Sequence, residues 1–117
     1  MERILYIEDM KECYELTKDA FRGSRVCWVR KISPSFNNIA RHLKNYRKAV
    51  VDVNLDISRP ETEEGLEVIK RLRGYSDTLP IICISSENKK EKSLEAGANK
   101  FIFKKQFWSR EDGRQKR

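Results

Sequence analysis

The sequence predicts an α/β fold in which five parallel strands form one open sheet with helices on both faces. Short, uninterrupted apolar runs alternate along the chain with segments whose apolar residues recur at helical spacing. Apolar runs without polar alternation are typical of strands that helices cover on both faces. The length of 117 residues is enough for one domain with one continuous core. Strands that alternate with helices are joined by right-handed crossovers, which makes the strands parallel.

The predicted strands are the densest apolar runs, over residues 4–7, 26–32, 49–53, 80–84 and 101–103. Three segments between them have the spacing of amphipathic helices: Cys13, Leu16, Thr17, Ala20 and Phe21; Phe36, Ile39, Ala40 and Leu43 after Pro34; and Leu66, Ile69 and Leu72. A fourth helix, over residues 88–96, has only Leu94 and Ala96 for apolar contact, so we expect it to be weakly held. Gly97 suits its C-terminal cap.

The composition restricts the class of protein. Hydrophobic residues make up 38% of the chain and are concentrated in runs, unlike those of a disordered segment. No apolar run is long enough to span a membrane, and the first residues lead directly into a strand, so we expect no secretory signal. Cys13, Cys27 and Cys83 are far apart in apolar patterns, which favours reduced, buried thiols in a cytoplasmic protein over a zinc site or a disulfide.

The formal net charge of +7 raises the question of a nucleic-acid partner. Acidic residues are interspersed among the basic ones, and the Lys/Arg clusters contain few aromatic residues that could stack on bases. The sequence therefore favours a solvated basic surface, and nucleic acid is not the expected partner.

Polar residues follow four of the predicted strands. Glu8 and Asp9 follow the first strand, Asp52 lies at the end of the third, Ser85 follows the fourth and Lys104 follows the fifth. The carboxyl ends of parallel strands meet at one edge of the sheet, where ligands bind near the point at which strand order reverses. We therefore expect three carboxylates, one hydroxyl and one ammonium to converge.

These residue types fit phosphoryl transfer. Clustered carboxylates repel one another unless a cation joins them, and hard oxygen ligands suit Mg²⁺. A carboxylate can act as the nucleophile toward a phosphoryl group and form an acyl phosphate. The metal and an ammonium then stabilise the charge on the transferring oxygens. A nearby hydroxyl can hydrogen-bond a phosphoryl oxygen and so respond to its presence.

Five segments, in order and in spacing, resemble the response-regulator receiver family of two-component systems. They are Ile4-Leu5-Tyr6-Ile7-Glu8-Asp9, Val50-Val51-Asp52-Val53-Asn54-Leu55, Gly65-Leu66-Glu67-Val68-Ile69, Pro80-Ile81-Ile82-Cys83-Ile84-Ser85-Ser86, and Ala96-Gly97-Ala98 followed by Phe101-Ile102-Phe103-Lys104. The resemblance covers residues 1–105, taken as the receiver domain, and leaves 106–117 as a short basic tail. It implies a flavodoxin-like sheet of order 2-1-3-4-5.

The resemblance also implies the metal site and the phosphoacceptor. Asp52 would accept the phosphoryl group. Asp9 would bind Mg²⁺ directly, with Glu8 binding directly or through water. The carboxylate of Asp52 and the backbone carbonyl of Asn54 would complete the protein ligands.

The remaining roles implied by the resemblance concern the switch. Lys104 would bind a phosphoryl oxygen, Ser85 would be the switch hydroxyl and Phe101 the aromatic residue whose packing changes. The protein would be a phosphoacceptor in a phosphorelay, with only self-catalysed phosphoryl transfer and autodephosphorylation. Its partner would be a histidine kinase or phosphotransfer protein.

Other interpretations stay open. Glu8 and Asp9 could cap the first helix, as acidic residues at a helix N-terminus often do. A hydrolase of the haloacid-dehalogenase type also phosphorylates an aspartate at a strand end, but it needs a second aspartate where Asn54 stands and a longer chain. A degenerate receiver would act as an interaction module without phosphorylation. His42, the only histidine, is expected at the surface without a role.

The sequence departs from the family in three places. The connection over residues 56–63 is longer than usual. Lys105 replaces the proline that normally follows the lysine through a cis bond, so a trans bond is expected here. The usual fifth helix cannot form, because Phe107 and Trp108 are the last apolar residues. We expect these two to fold back over the exposed sheet face, and a second copy or an effector protein to cover the rest.

Overall fold

The computed structural model describes residues 2–30, 38–39, 41–54 and 62–109. Its centre is a five-stranded parallel sheet of order β2-β1-β3-β4-β5. The strands are β1 (Arg3–Ile7), β2 (Arg25–Val29), β3 (Lys48–Asp52), β4 (Ile81–Ser85) and β5 (Lys100–Phe103). The predicted fold and strand order are confirmed, and the predicted strand positions agree with these bounds to within a few residues.

Helices connect or follow the strands: α1 (Lys11–Ala20), α2 (Glu64–Tyr75), α3 (Lys90–Ala96) and α4 (Lys104–Ser109). Asn38 and Ile39, between β2 and β3, are helical as well. A 3-10 helix, Leu43–Asn45, precedes β3. Helix α3 ends at Gly97, whose φ of 123° is a conformation that L side chains rarely adopt. This agrees with the cap predicted there.

The sheet separates two apolar clusters because alternate strand residues point to opposite faces. Leu5 and Ile7 of β1 pack on one face with Val68, Ile69 and Leu72 of α2. On the other face, Ile4 and Tyr6 pack with Cys13 of α1 and Phe107 of α4. Burial on both faces explains why the strands are continuous apolar runs.

Two predicted apolar contacts are wrong. Leu16 of α1 is 50% exposed and Leu94 of α3 is 41% exposed. In α1 the buried residues are Cys13, Thr17 and Ala20, while Phe21 is partly buried against the same cluster. In α3 the buried positions are Ser93 and Ala96. The hydroxyl of Ser93 donates to the Lys90 carbonyl, so a polar side chain is tolerated inside.

Two predicted segments lie largely outside the described residues. These are the helix after Pro34, with Phe36 and Ala40, and the loop over residues 56–63. Leu43, the last apolar position predicted for that helix, is buried in the 3-10 helix. His42 is exposed, as expected. All three cysteines are free; Cys13 and Cys83 are buried and Cys27 is half-buried.

The C-terminal helix α4 has six residues in the described part of the chain, and the predicted truncation of this region is confirmed. Phe107 is 3% exposed and packs in the apolar cluster of α1. The indole N–H of Trp108 donates to the Thr17 hydroxyl at 3.0 Å. The two aromatic residues therefore fold back over the sheet, as predicted. In the described part of the chain, no helix combines the length and apolarity that crossing a bilayer requires.

Candidate phosphoacceptor site

The strand order reverses beside β1, which lies between β2 and β3. Ile7 of β1 pairs with Val51 of β3, so the next residues, Glu8 and Asp52, emerge side by side at the carboxyl edge. Their side chains are almost completely buried, at 1% and 3% exposure. Two buried carboxylates are thus held close together at the topological switch point.

One ammonium group joins these carboxylates. Lys104 Nζ lies 3.1 Å from Asp52 Oδ2 and 3.2 Å from Glu8 Oε1. Lys104 begins α4 directly after β5, which brings its side chain across the end of the sheet. No peptide bond in the described residues is cis, so the Lys104–Lys105 bond is trans, as expected. The lysine reaches the site without the family's proline.

Glu8 is fixed by several further contacts. The Tyr6 hydroxyl donates to Glu8 Oε1 at 3.1 Å, and the backbone N–H groups of Asp9 and Met10 donate to Oε2. The Trp28 indole donates to the backbone carbonyl of Glu8 at 2.8 Å. The N-cap residue of α1 is Met10, which has no side-chain cap. Glu8 therefore orders the approach to α1, but neither acidic residue is its N-cap.

Burial and neighbouring charges shift the pKa values of Asp52 and Lys104. Desolvation raises the pKa of Asp52, and the hydrogen bond and charge of Glu8 raise it further, while the Lys104 ammonium opposes both. Burial would lower the pKa of Lys104, but the charges of Asp52 and Glu8 outweigh it, and the pKa is raised. One cation only partly compensates two buried carboxylates, so the site favours additional positive charge.

The other predicted site residues surround this cluster at different distances. Asp9 is half-buried beside Glu8, and the Asn54 backbone N–H donates to Asp52 Oδ1 at 3.4 Å. Ser85 is buried, and its hydroxyl oxygen accepts a hydrogen bond from the Glu87 N–H at 3.1 Å. Phe101 is half-buried against the core, edge-on to Phe103. Glu8, Asp52 and Lys104 are thus in direct contact, while Ser85 and Phe101 contact other groups.

Comparisons with known proteins identify the family. The sequence profile of the response regulator receiver domain matches residues 4–112. The chain belongs to this family. No curated protein matches the sequence.

Solved structures share the receiver fold. A response regulator from Thermotoga maritima is 20% identical, with a TM-score of 0.72 and coverage of 100% of this chain and 99% of that one. A two-component response regulator from Clostridium difficile is 15% identical, with a TM-score of 0.74 and coverage of 100% and 98%. A Burkholderia pseudomallei response regulator, solved with a phosphorylated aspartic acid, calcium and citrate, is 16% identical, with a TM-score of 0.70 and coverage of 88% and 59%.

Sequence reasoning gave no role to two residues that shape this receiver site. Tyr6 was counted only as a core residue, although its hydroxyl holds Glu8. Gly65, in the first turn of α2, approaches the phosphoacceptor strand so closely that an added Cβ would lie 1.9 Å from the Asp52 carbonyl oxygen. Its N–H donates to the Val53 carbonyl at 2.7 Å. A glycine inside a predicted helix is costly and could have signalled this close approach.

Proposed function

We propose that this receiver domain accepts a phosphoryl group on Asp52, with Mg²⁺ bound beside it, and thereby switches a protein-interaction surface. The observation that carries the proposal is the buried Glu8–Lys104–Asp52 cluster at the switch point of the sheet. A buried aspartate beside another carboxylate is unfavourable for stability, which makes a purely structural role a poor explanation. The phosphorylated aspartic acid of the Burkholderia pseudomallei relative supports the same chemistry.

The donor atoms present are of the type that Mg²⁺ prefers. Carboxylate and carbonyl oxygens are hard ligands, and the two buried carboxylates share a single ammonium. No three His, Cys, Asp or Glu side chains within the described ranges are already arranged as a metal site. Both Glu8 oxygens accept other hydrogen bonds, which suits binding through water. We therefore assign direct contacts to Asp9, Asp52 and the Asn54 carbonyl.

The chain's own residues account for the transfer. A carboxylate oxygen of Asp52 attacks phosphorus, the bond from phosphorus to the donor breaks, and the leaving group keeps the electron pair. Lys104, already 3.1 Å from Asp52, then binds a phosphoryl oxygen. Bound Mg²⁺ supplies further neutralisation of charge on the phosphoryl oxygens.

The switch would follow from the new oxyanion at Asp52. The Ser85 hydroxyl accepts one hydrogen bond from Glu87 and has its own hydrogen to donate to a phosphoryl oxygen. Movement of Ser85 at the end of β4 would be felt along β5, because Ser85 pairs with Phe103, which is in edge-on contact with Phe101. The exposed Phe103 and Leu94 lie on and beside β5, where an effector or a second copy would read the change.

The phosphodonor in this proposal is a histidine kinase or a phosphotransfer protein, and loss of the group occurs by autodephosphorylation without turnover of another substrate. Three free cysteines are consistent with the reducing conditions of the cytoplasm, which we propose as the location.

Intact-mass measurement after incubation with acetyl phosphate tests the phosphoacceptor. We expect one phosphoryl group on the wild type with Mg²⁺, none with a chelator, and none on Asp52→Asn. Asp77→Asn, which changes an exposed aspartate, is the matched control and should react like the wild type. Equal incorporation in Asp52→Asn would reject the assignment. No incorporation in the folded wild type from acetyl phosphate or from any histidine kinase would favour the degenerate interaction module instead.

Titration with Mg²⁺ alone tests the metal ligands. Trp28 fluorescence should report binding, because its indole contacts the Glu8 backbone. We expect Asp9→Ala to weaken Mg²⁺ affinity about tenfold or more, and Glu8→Gln to weaken it less, as for a ligand that acts through water. Unchanged affinity in Asp9→Ala would remove that residue from the proposed site.

A further inference from the structure

Basic residues collect at the amino-terminal edge of the sheet, opposite the phosphoacceptor site. Four of the five strands begin with a basic residue: Arg3, Arg25, Lys48 and Lys100. Parallel strands all begin at the same edge, and Arg3 pairs directly with Arg25. The fold therefore aligns positive charges that are up to 97 positions apart in the chain, from residue 3 to residue 100.

Two adjoining depressions lie at this edge. One, of about 430 Å³, is lined by Arg3, Lys44, Tyr46 and Arg47, among others. The second, of about 420 Å³, shares Lys44 and Tyr46 and adds Arg41 and Tyr75. Two tyrosines, Tyr46 half-buried against the core and the more exposed Tyr75, thus line a shallow surface that carries four cations.

The charges at this surface are largely available to a ligand. Arg3, Arg41, Lys44 and Arg47 are exposed, and Tyr75 is 51% exposed. Glu2 lines the first depression and pairs with Arg47, so one acidic residue partly offsets the basic group. Asp77 is also exposed, between the lining residues Ser76 and Thr78. The four cations still exceed these two acidic residues.

The fold places several acidic residues away from this surface. Glu8, Asp9, Asp52 and Glu63 lie at the carboxyl edge, because each ends or follows a strand or precedes a helix there. Interspersion of charges along the chain therefore does not exclude nucleic acid at the amino-terminal edge. Tyr46, which stands between Lys44 and Arg47 in the sequence, and Tyr75 line the depressions.

From this juxtaposition we infer that the amino-terminal edge, lined by Arg3, Arg41, Lys44, Tyr46, Arg47 and Tyr75, binds single-stranded nucleic acid. A positively charged groove with aromatic side chains on which bases stack is the chemistry that recognises such strands. An anionic membrane is a poorer fit, because insertion requires apolar side chains. Among the large apolar residues that are exposed in the described part of the chain, only Tyr75 lines this surface.

Fluorescence anisotropy with a labelled 12-mer of thymidine tests the inference on the full chain. Four phosphate contacts predict that the logarithm of affinity falls with the logarithm of salt concentration with a slope of about −3. The triple variant Arg41→Ala/Lys44→Ala/Arg47→Ala should bind at least tenfold more weakly, with a slope nearer to about −1. The matched control Lys11→Ala/Lys90→Ala/Lys105→Ala removes three exposed cations at the opposite edge, and should retain wild-type affinity within about twofold.

Tyr75 separates base stacking from simple charge attraction. We expect Tyr75→Ala to weaken binding about tenfold and Tyr75→Phe, which keeps the aromatic ring, to restore it. Equal losses in the two triple variants would overturn the inference, since binding would then follow net charge alone. Absence of binding to the 12-mer would overturn it as well. So would binding to phosphatidylserine vesicles that exceeds binding to the 12-mer and does not change in Tyr75→Ala.

Discussion

Charged side chains at the two ends of the sheet differ in how well their charges and hydrogen-bonding groups are matched. At the carboxyl end, two buried carboxylates, Glu8 and Asp52, share the ammonium of Lys104. At the amino end, the guanidinium of Arg73 donates to four neutral oxygens, which are the carbonyls of Gly97, Ser76 and Leu79 and the side-chain oxygen of Asn99. The first cluster has excess negative charge and the second has its hydrogen-bonding groups matched.

This difference separates function from structure. A matched network stabilises the fold, because each donor keeps a partner when water is excluded. A cluster with uncompensated charge costs stability and favours a ligand that supplies the missing positive charge. Arg73 therefore ties α2 to the starts of β4 and β5, while the Asp52 cluster is poised for metal and phosphoryl binding.

The largest expected effect comes from glycines at the two ends of helix α2. Gly65 faces the Asp52 backbone, where an added Cβ would meet a carbonyl oxygen at 1.9 Å, whereas a Cβ at Gly74 would meet no atom within 4 Å. We expect Gly65→Ala to lower the free energy of unfolding by about 3 kcal/mol, because α2 must move away from β3. Gly74→Ala should raise it by about 0.5–1 kcal/mol through helix propensity.

Urea denaturation of both variants measures this contrast, and phosphorylation of Gly65→Ala should slow as well, because the displaced backbone carries Asp52. If both alanines changed the free energy of unfolding equally, the conclusion that α2 approaches β3 closely at Gly65 would be wrong.

A smaller effect is expected at Arg73. Arg73→Lys keeps the charge, but the lysine ammonium lacks the planar guanidinium fork and cannot reach all four acceptors. We therefore expect a loss of about 2 kcal/mol in the free energy of unfolding. The same replacement at the exposed Arg71, one turn from the end of the same helix, should change it by less than about 0.5 kcal/mol. Thermal and urea unfolding compare the pair, and similar losses in both would mean that the network contributes little.

These residues also show what sequence could and could not predict. The parallel sheet and the residues at the strand ends followed from the alternation of strands and helices, since parallel topology alone places Glu8, Asp52 and Lys104 at one edge. The strand order came from the resemblance to the receiver family. Arg73 was not predicted, because its acceptors lie up to 26 positions away along the chain and leave no periodic signal. Leu16 was assigned to the core because periodicity alone does not reveal how wide a stripe the sheet covers.

A third, smaller effect tests the uncompensated charge at the carboxyl end. In a buffer with a chelator, Asp52→Asn should raise the free energy of unfolding by about 1 kcal/mol near neutral pH, because the cost of burying an ionisable carboxyl group beside Glu8 is removed. The pKa of Asp52 is raised in the folded state. Between the ordinary aspartate pKa and the raised one, the folded protein binds more protons than the unfolded chain. Wild-type stability therefore falls as pH rises from the ordinary to the raised pKa.

The difference between Asp52→Asn and the wild type should therefore be small below about pH 4 and grow at higher pH. Urea midpoints across this range measure it, with Asp77→Asn as the exposed control. A destabilised Asp52→Asn at every pH would mean that Lys104 fully compensates the pair.

The smallest effect concerns an ion cluster at the outer rim of the carboxyl end. Glu63, just before α2, lies 2.8 Å from Lys89 Nζ and 3.2 Å from Lys92 Nζ, and so connects α2 to the segment that begins α3. Its pKa is lowered, chiefly by the hydrogen bond with Lys89. The stabilisation is therefore complete above the ordinary carboxyl pKa and is lost as pH falls through the lowered value.

Because Glu63 and its lysines are partly exposed to solvent, we expect Glu63→Gln to cost less than about 1 kcal/mol, and high salt to reduce that cost. Glu67→Gln, in the same first turn of α2 but exposed, removes an equal charge and controls for the helix dipole. Urea denaturation at pH 7 and at a pH well below the lowered carboxyl pKa should show a loss in Glu63→Gln only at pH 7. A loss that persists at the lower pH would indicate packing and not charge as the contribution of Glu63. The Glu63 cluster differs from the buried pair of Glu8 and Asp52, because solvent limits both its contribution to stability and the dependence of that contribution on pH.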